Sequence, residues 1–117
     1  MNLQDIITGL DLVPLTEPDD LLDTKPAACY TSDLLSCVMA GAQKKSIWVT
    51  LQAHSNIIAV AALLDLSAVI ITEGAQPDEA TVQKANEENV ILLSTSLSTF
   101  EVAGRLWEMG LRSTGSN

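Results

Sequence analysis

His54 is the only imidazole in the chain, and so the only side chain whose ordinary proton affinity lies near neutral pH. It stands in a polar turn, Gln52-Ala53-His54-Ser55, with Asn56 next, directly after the β-rich run Ile47-Trp48-Val49-Thr50-Leu51. Two more polar turns follow apolar runs in the same way. Glu73-Gly74-Ala75-Gln76 comes after Ala68 to Thr72, and Ser94-Thr95-Ser96-Leu97 comes after Val90 to Leu93. If these runs are parallel strands, the turns that follow them gather on one edge of the sheet, where ligands usually bind. That edge would collect Thr50, His54, Asn56, Glu73, Ser94, Thr95, Ser96, Ser98 and Thr99. Hydroxyls beside helix N-termini could cradle an anion. An imidazole near Glu73 or Ser94 would suit acid–base chemistry.

Each residue also has a plainer reading. His54 orders its own turn through the backbone, the Ser and Thr residues at 94–99 are turn and cap groups, and Glu73 is a solvated turn carboxylate. Catalytic signatures are absent. The sequence has no GxxxxGK[ST] phosphate loop, no GxGxxG and no GxSxG elbow. A pairing of His54 with Ser55 or Ser94 is not a triad. Two cysteines, Cys29 and Cys37, with one histidine build no zinc pattern. They read as small buried hydrophobes of a reducing cytosol. The acidic block from Glu17 to Asp23 lacks the ligand spacing and glycine of an EF-hand. No metal and no cofactor is expected.

Positioning these residues takes one ordinary domain, since the chain has 117 residues. Six Lys+Arg against fifteen Asp+Glu give a net charge of −9. So few, scattered cations exclude a nucleic-acid partner. The content of Ile, Leu and Val excludes a disordered acidic tail. The longest apolar run, Ile57 to Leu64, falls far short of the ~20 residues that span a bilayer. The start, Met1-Asn2-Leu3-Gln4-Asp5, does not resemble a signal peptide. A cytoplasmic location with no membrane partner follows. Hydrophobic residues are 47% of the chain, and the mean hydropathy is +0.25. That is more apolar than a lone small domain requires, which suggests a subunit interface.

The pattern predicts a helix over 2–10 capped by Asn2, then an edge strand over 12–15 and a loop over 17–25. A short extended piece over 27–30 leads to a helix capped by Ser32 and stopped by Gly41. Three strand–helix units follow: 47–51 with 56–66, 68–72 with a helix opening at Pro77 and ending near Asn89, and 90–93 with a helix from Ser98. Ser98-Thr99-Phe100-Glu101 fits a capping box, and Leu97 and Val102 a hydrophobic staple. Trp48, Phe100 and Trp107 read as packing residues, and Arg112 to Asn117 as a fraying tail. Repeated strand–helix units imply right-handed crossovers. The fold class is α/β, a single domain with a largely parallel sheet of about four to five strands and flanking helices.

Five stretches then carry a resemblance. Tyr30-Thr31-Ser32-Asp33-Leu34-Leu35-Ser36, Trp48 to Asn56, Val69-Ile70-Ile71-Thr72-Glu73-Gly74, Pro77-Asp78-Glu79 and Leu92 to Glu101 resemble the DRTGG domain family over about Leu3 to Leu111. The last stretch is also similar to the N-terminal domain of HPr kinase/phosphorylase. The motif that names the family is placed at Asp23-Thr24-Lys25-Pro26-Ala27-Ala28-Cys29, where both glycines are missing. The resemblance implies a dimerising regulatory module over residues 1–111, such as stands beside CBS domains in regulated pyrophosphatases. It does not imply a kinase, because that activity depends on a separate P-loop domain.

The leading expectation is therefore a homodimeric, non-catalytic regulatory domain that binds a small anionic or nucleotide-like ligand at the edge described. Its candidate ligand-binding residues are Ser32, Asp33, Thr50, Gln52, His54, Asn56, Glu73, Ser94, Thr95 and Thr99. A protein-interaction subunit without a small ligand, and a small enzyme using His54, are the alternatives. The helix over 57–64, or the face bearing Phe100 and Trp107, is the expected dimer contact.

Overall fold

A computed structural model describes residues 1–114. Helix α1 (Leu3–Leu10) is followed by strand β1 (Val13–Pro14) and strand β2 (Ala28–Thr31). Then come α2 (Leu35–Gly41), β3 (Ser46–Thr50), α3 (Asn56–Leu64), β4 (Ala68–Ile71), α4 (Glu79–Glu87), β5 (Leu92–Ser94) and α5 (Thr99–Glu108). The five strands form one sheet in the order β1-β5-β4-β3-β2. All pairs are parallel except β1 with β5. The α/β class and the strand count match the expectation, and Pro14 lies on an edge strand, where its missing N–H costs no ladder bond.

Alternation along the strands divides the core. Ile47, Val49, Ala68, Ile70 and Leu93 face α1 and α5, packing with Leu3, Ile6, Val102 and Leu106. Trp48, Val69, Ile71 and Leu92 face the other side, against Val38, Ile57, Ile58 and Ala85. β3 and β4 are buried throughout, because a parallel sheet is covered on both faces. Asn2 caps α1 in a full capping box with Asp5.

Local readings differ from the structure at several points. Ser32 does not cap α2: Leu34 is the N-cap, with no side-chain bond. The Ser32 hydroxyl instead accepts the Leu34 N–H and turns the chain one step earlier. Gly41 is the last helical residue rather than the stop, and it lies against Tyr30, whose hydroxyl would sit 2.6 Å from an added Cβ. Pro77 lies outside α4, whose N-cap is Asp78. Cys37 is exposed and Cys29 half-buried, and both are free.

Phe100 and Trp107 are not core residues. Phe100 is 90% exposed and Trp107 59% exposed, because Val102 and Leu106 are the positions α5 turns to the sheet. Arg112 is held by two bonds from its guanidinium to the Trp107 and Leu111 carbonyls, and its own carbonyl accepts the Cys29 N–H. Residues 115–117 of the expected tail lie outside those described.

Candidate functional site

The C-terminal ends of β3, β4 and β5 do share one edge, as parallel pairing requires. The candidate residues on it form three hydrogen-bonded groups. The first ties the segment after β2 to the end of β3. Asp33 Oδ1 accepts the Thr50 hydroxyl at 2.8 Å and the Leu51 N–H at 2.9 Å. Gln52 Nε2 donates to the Asp33 carbonyl at 3.1 Å, and the Gln52 N–H donates to Thr50 Oγ1. Fully buried Trp48 donates its indole N–H to the Ser32 carbonyl at 2.8 Å. Ser32, Asp33, Thr50 and Gln52 are thus one interlocked unit.

The second group joins β4 to α5. Glu73 Oε2 accepts the Thr99 N–H at 2.8 Å, at the first residue of α5. The Thr72 and Thr99 hydroxyls lie 2.6 Å apart. The Glu73 and Gly74 N–H groups donate to the Leu97 and Thr95 carbonyls, and Thr95 Oγ1 accepts the Leu97 N–H. Glu73 is therefore not merely a solvated carboxylate. It already occupies the α5 N-terminus, the place where helix polarity would favour an external anion. Thr72, not among the expected site residues, is buried and belongs to this group. The sequence signal for it is a hydroxyl closing the apolar run Ala68 to Thr72, one residue beyond the end of β4. Ser94 lies in β5 itself, 4% exposed, rather than in the turn.

The third group is His54. Its Nδ1 accepts the Asn56 N–H at 3.1 Å, and its carbonyl accepts the Ile57 N–H. The plainer reading of this imidazole is the one observed. Among the described residues, no hydrogen bond joins His54 to Glu73 or Ser94. No group of three or more His, Cys, Asp or Glu residues able to hold a metal occurs among the described residues. Asp78 stands close enough for the His54 charge to contribute to it. Its carboxyl is held below the ordinary carboxylate range by the Thr81 hydroxyl first, then by the Thr81 N–H.

One capping expectation holds in half. Ser98 accepts the Glu101 N–H at 3.2 Å, while the Glu101 carboxylate turns to Arg105 at 2.6 Å. Positions 73 and 74 carry successive left-handed conformations, φ 62 and φ 73. That is glycine geometry, with a glutamate in the first place.

The DRTGG domain profile matches residues 31–109. Asp23 to Cys29, the place expected for the name motif, lies outside that span. No curated protein matches the chain. Among solved structures, the fold is similar to the CBS and DRTGG domains of the regulatory region of Clostridium perfringens pyrophosphatase, a structure complexed with its activator, diadenosine tetraphosphate. The TM-score is 0.70 at 15% identity, over 97% of this chain and 47% of that one, so the chain spans about half the length of its structural neighbour. With the profile covering most of its length, the chain belongs to the DRTGG domain family.

Proposed function

We propose that residues 1–111 act as a non-catalytic, homodimeric regulatory domain. The observation that carries this reading is how the sheet-edge polar groups are employed. Asp33, Thr50, Gln52, Glu73, Thr95 and Thr99 bind backbone or one another and lock successive loops together. A linked loop system suits the relay of a bound or docked state, whereas turnover needs a nucleophile, base and orienting group in mutual reach. The two free cysteines agree with a reducing, cytoplasmic setting. No helix among the described residues is long and apolar enough to cross a membrane.

Multi-angle light scattering tests the assembly. A dimer at tens of micromolar protein is expected, and a clean monomer there would sink the reading.

A nucleotide-like ligand at the same edge is a second reading, favoured by the activator present in the neighbouring regulatory region. The imidazole of exposed His54 keeps Nε2 free, since only Nδ1 is used internally. Thermal-shift titration with a panel of nucleotides and phosphorylated metabolites is expected to give a saturable rise that His54→Ala and Thr95→Val reduce. A flat response across the panel removes the ligand and leaves the regulatory dimer.

A further inference from the structure

We infer that the outer face of α5 is a self-docking surface, which takes α5 of a second copy of this chain, antiparallel about a two-fold axis near Gly104. The inference rests on the dimer reading above and supplies its helix, orientation and residues. Three independent features of the helix converge on it.

Aromatic placement is the first. The chain holds only four aromatic residues, Tyr30, Trp48, Phe100 and Trp107. Two of them stand outward on α5, Phe100 at 90% exposure. Phe100, Gly104 and Trp107 are spaced four and three residues apart, so they form one stripe along the helix. An exposed aromatic stripe of this kind is the usual material of an interface centre.

Gly104 is the second. It sits inside α5, where glycine weakens a helix relative to alanine. Its own protomer gives no reason for it: an added Cβ would meet nothing within 4 Å, and its φ is not positive. A glycine kept at the middle of an aromatic stripe permits a neighbouring helix to come close.

The order of charge is the third, and it selects the occupant. Glu101, Arg105 and Glu108 run along the next row of the helix, and Arg112, beyond the helix end, lays its guanidinium 3.8 Å over the Trp107 ring. About a two-fold axis near Gly104, Glu101 of one copy comes beside Arg105 of the other, and Arg105 beside Glu101. An antiparallel copy therefore meets opposite signs at the centre of the contact, whereas a parallel copy, turned about an axis along the helix, carries this row to the far side of the stripe. A chain of net charge −9 repels its copies over most of its surface. This face sets Arg105 and Arg112 against Glu101 and Glu108, so it carries no net charge to repel a copy. In the antiparallel arrangement Phe100 of each copy comes to Trp107 of the other, with Gly104 near the axis. Helix α3 also turns out apolar residues, Ala59, Ala62 and Leu63, but carries no charge order that would choose a second copy.

Sedimentation equilibrium on the full chain tests the assignment. Phe100→Glu and Gly104→Leu are each expected to weaken dimerisation roughly 30-fold or more, with circular dichroism unchanged. Leucine is the better helix former, so on a free surface Gly104→Leu would raise Tm and leave association untouched. As a second measurement, Gly104→Cys in a Cys37→Ser background is expected to oxidise to a disulfide-linked dimer. A wild-type dimer that both substitutions leave intact, or that Leu63→Glu alone dissolves, overturns the α5 assignment while the dimer reading survives. A wild-type monomer overturns both.

Discussion

Glu73 holds a left-handed backbone, which a side chain makes costly by roughly 1–2 kcal/mol. Its carboxylate offsets that strain by accepting the Thr99 N–H. The two contributions separate by substitution. Glu73→Ala keeps the strain and loses the bond, and is expected to destabilise by about 1–3 kcal/mol. Glu73→Gly loses the bond but relieves the strain, so its cost should be smaller. Urea midpoints measured in one buffer rank the two, and a glycine variant less stable than the alanine one would refute the account. The cysteines differ just as sharply. Burial pushes the Cys29 thiol up to about 11, against a weaker opposing effect of the Thr31 hydroxyl, while Cys37 is exposed. A thiol reagent at neutral pH should label Cys37 at once and Cys29 only on unfolding. Two rapid equivalents from the native protein would contradict the observed burial. Because the folded pKa of Cys29 is raised, its share of stability is present below the unfolded value of 9.0 and is lost as pH rises toward about 11.

Among the elements, α2 shows how a helix of modest sequence signal is held. It buries Val38 alone, and its last residue, Gly41, lies under the Tyr30 ring of β2. Alanine there would place a Cβ 2.6 Å from the Tyr30 hydroxyl and 2.8 Å from the ring. The ring or the helix end must then move, and Gly41→Ala is expected to cost about 1–3 kcal/mol despite its better helix propensity. Thermal unfolding checks this; an increase in Tm would mean that the ring swings aside freely. Helix α5 is the opposite case. Ser98 caps it, Glu101 and Arg105 pair along it, and Val102 and Leu106 anchor it, so its inner face is fully specified by its own chain. Only its outer face, with two exposed aromatics around a glycine, is left to be explained by something beyond the protomer.

For the molecule as a whole, acid is the condition that most directly tests its electrostatics. Lys45 chiefly, by hydrogen bond and charge, with Lys44 beside it, holds the Asp65 carboxyl below the ordinary carboxylate range. Thr81 does the same for Asp78. Both folded pKa values are lowered, so the stability they contribute is present above the unfolded value and disappears as pH falls through the folded one. The stability profile should therefore drop below about pH 4. Asp65→Asn with Asp78→Asn should flatten that limb without disturbing the fold at neutral pH. Asparagine suits both the left-handed backbone at 65 and the N-cap at 78. An unchanged acid limb in the double variant would place the loss elsewhere among the fifteen carboxylates.

Apolar periodicity and turn residues alone determined the class of fold and the sheet edge at which the polar turns meet. Unbroken apolar runs such as Ala68–Ile71 fit burial on both faces, and repeated strand–helix units fit right-handed crossovers; both are local or topological rules. The capping residues Asn2 and Ser98 were equally legible, because a cap acts within three residues of itself. Other features depended on what lies across space. That Glu73 fills the start of α5, that Asp33 reaches Thr50 and Leu51, and that Gly41 serves Tyr30 are contacts between distant segments. A linear pattern does not contain such contacts. The aromatics on α5 show the same division: helical spacing put Phe100 and Trp107 near one face, but only the packing of Val102 and Leu106 on the sheet decided that this face points outward.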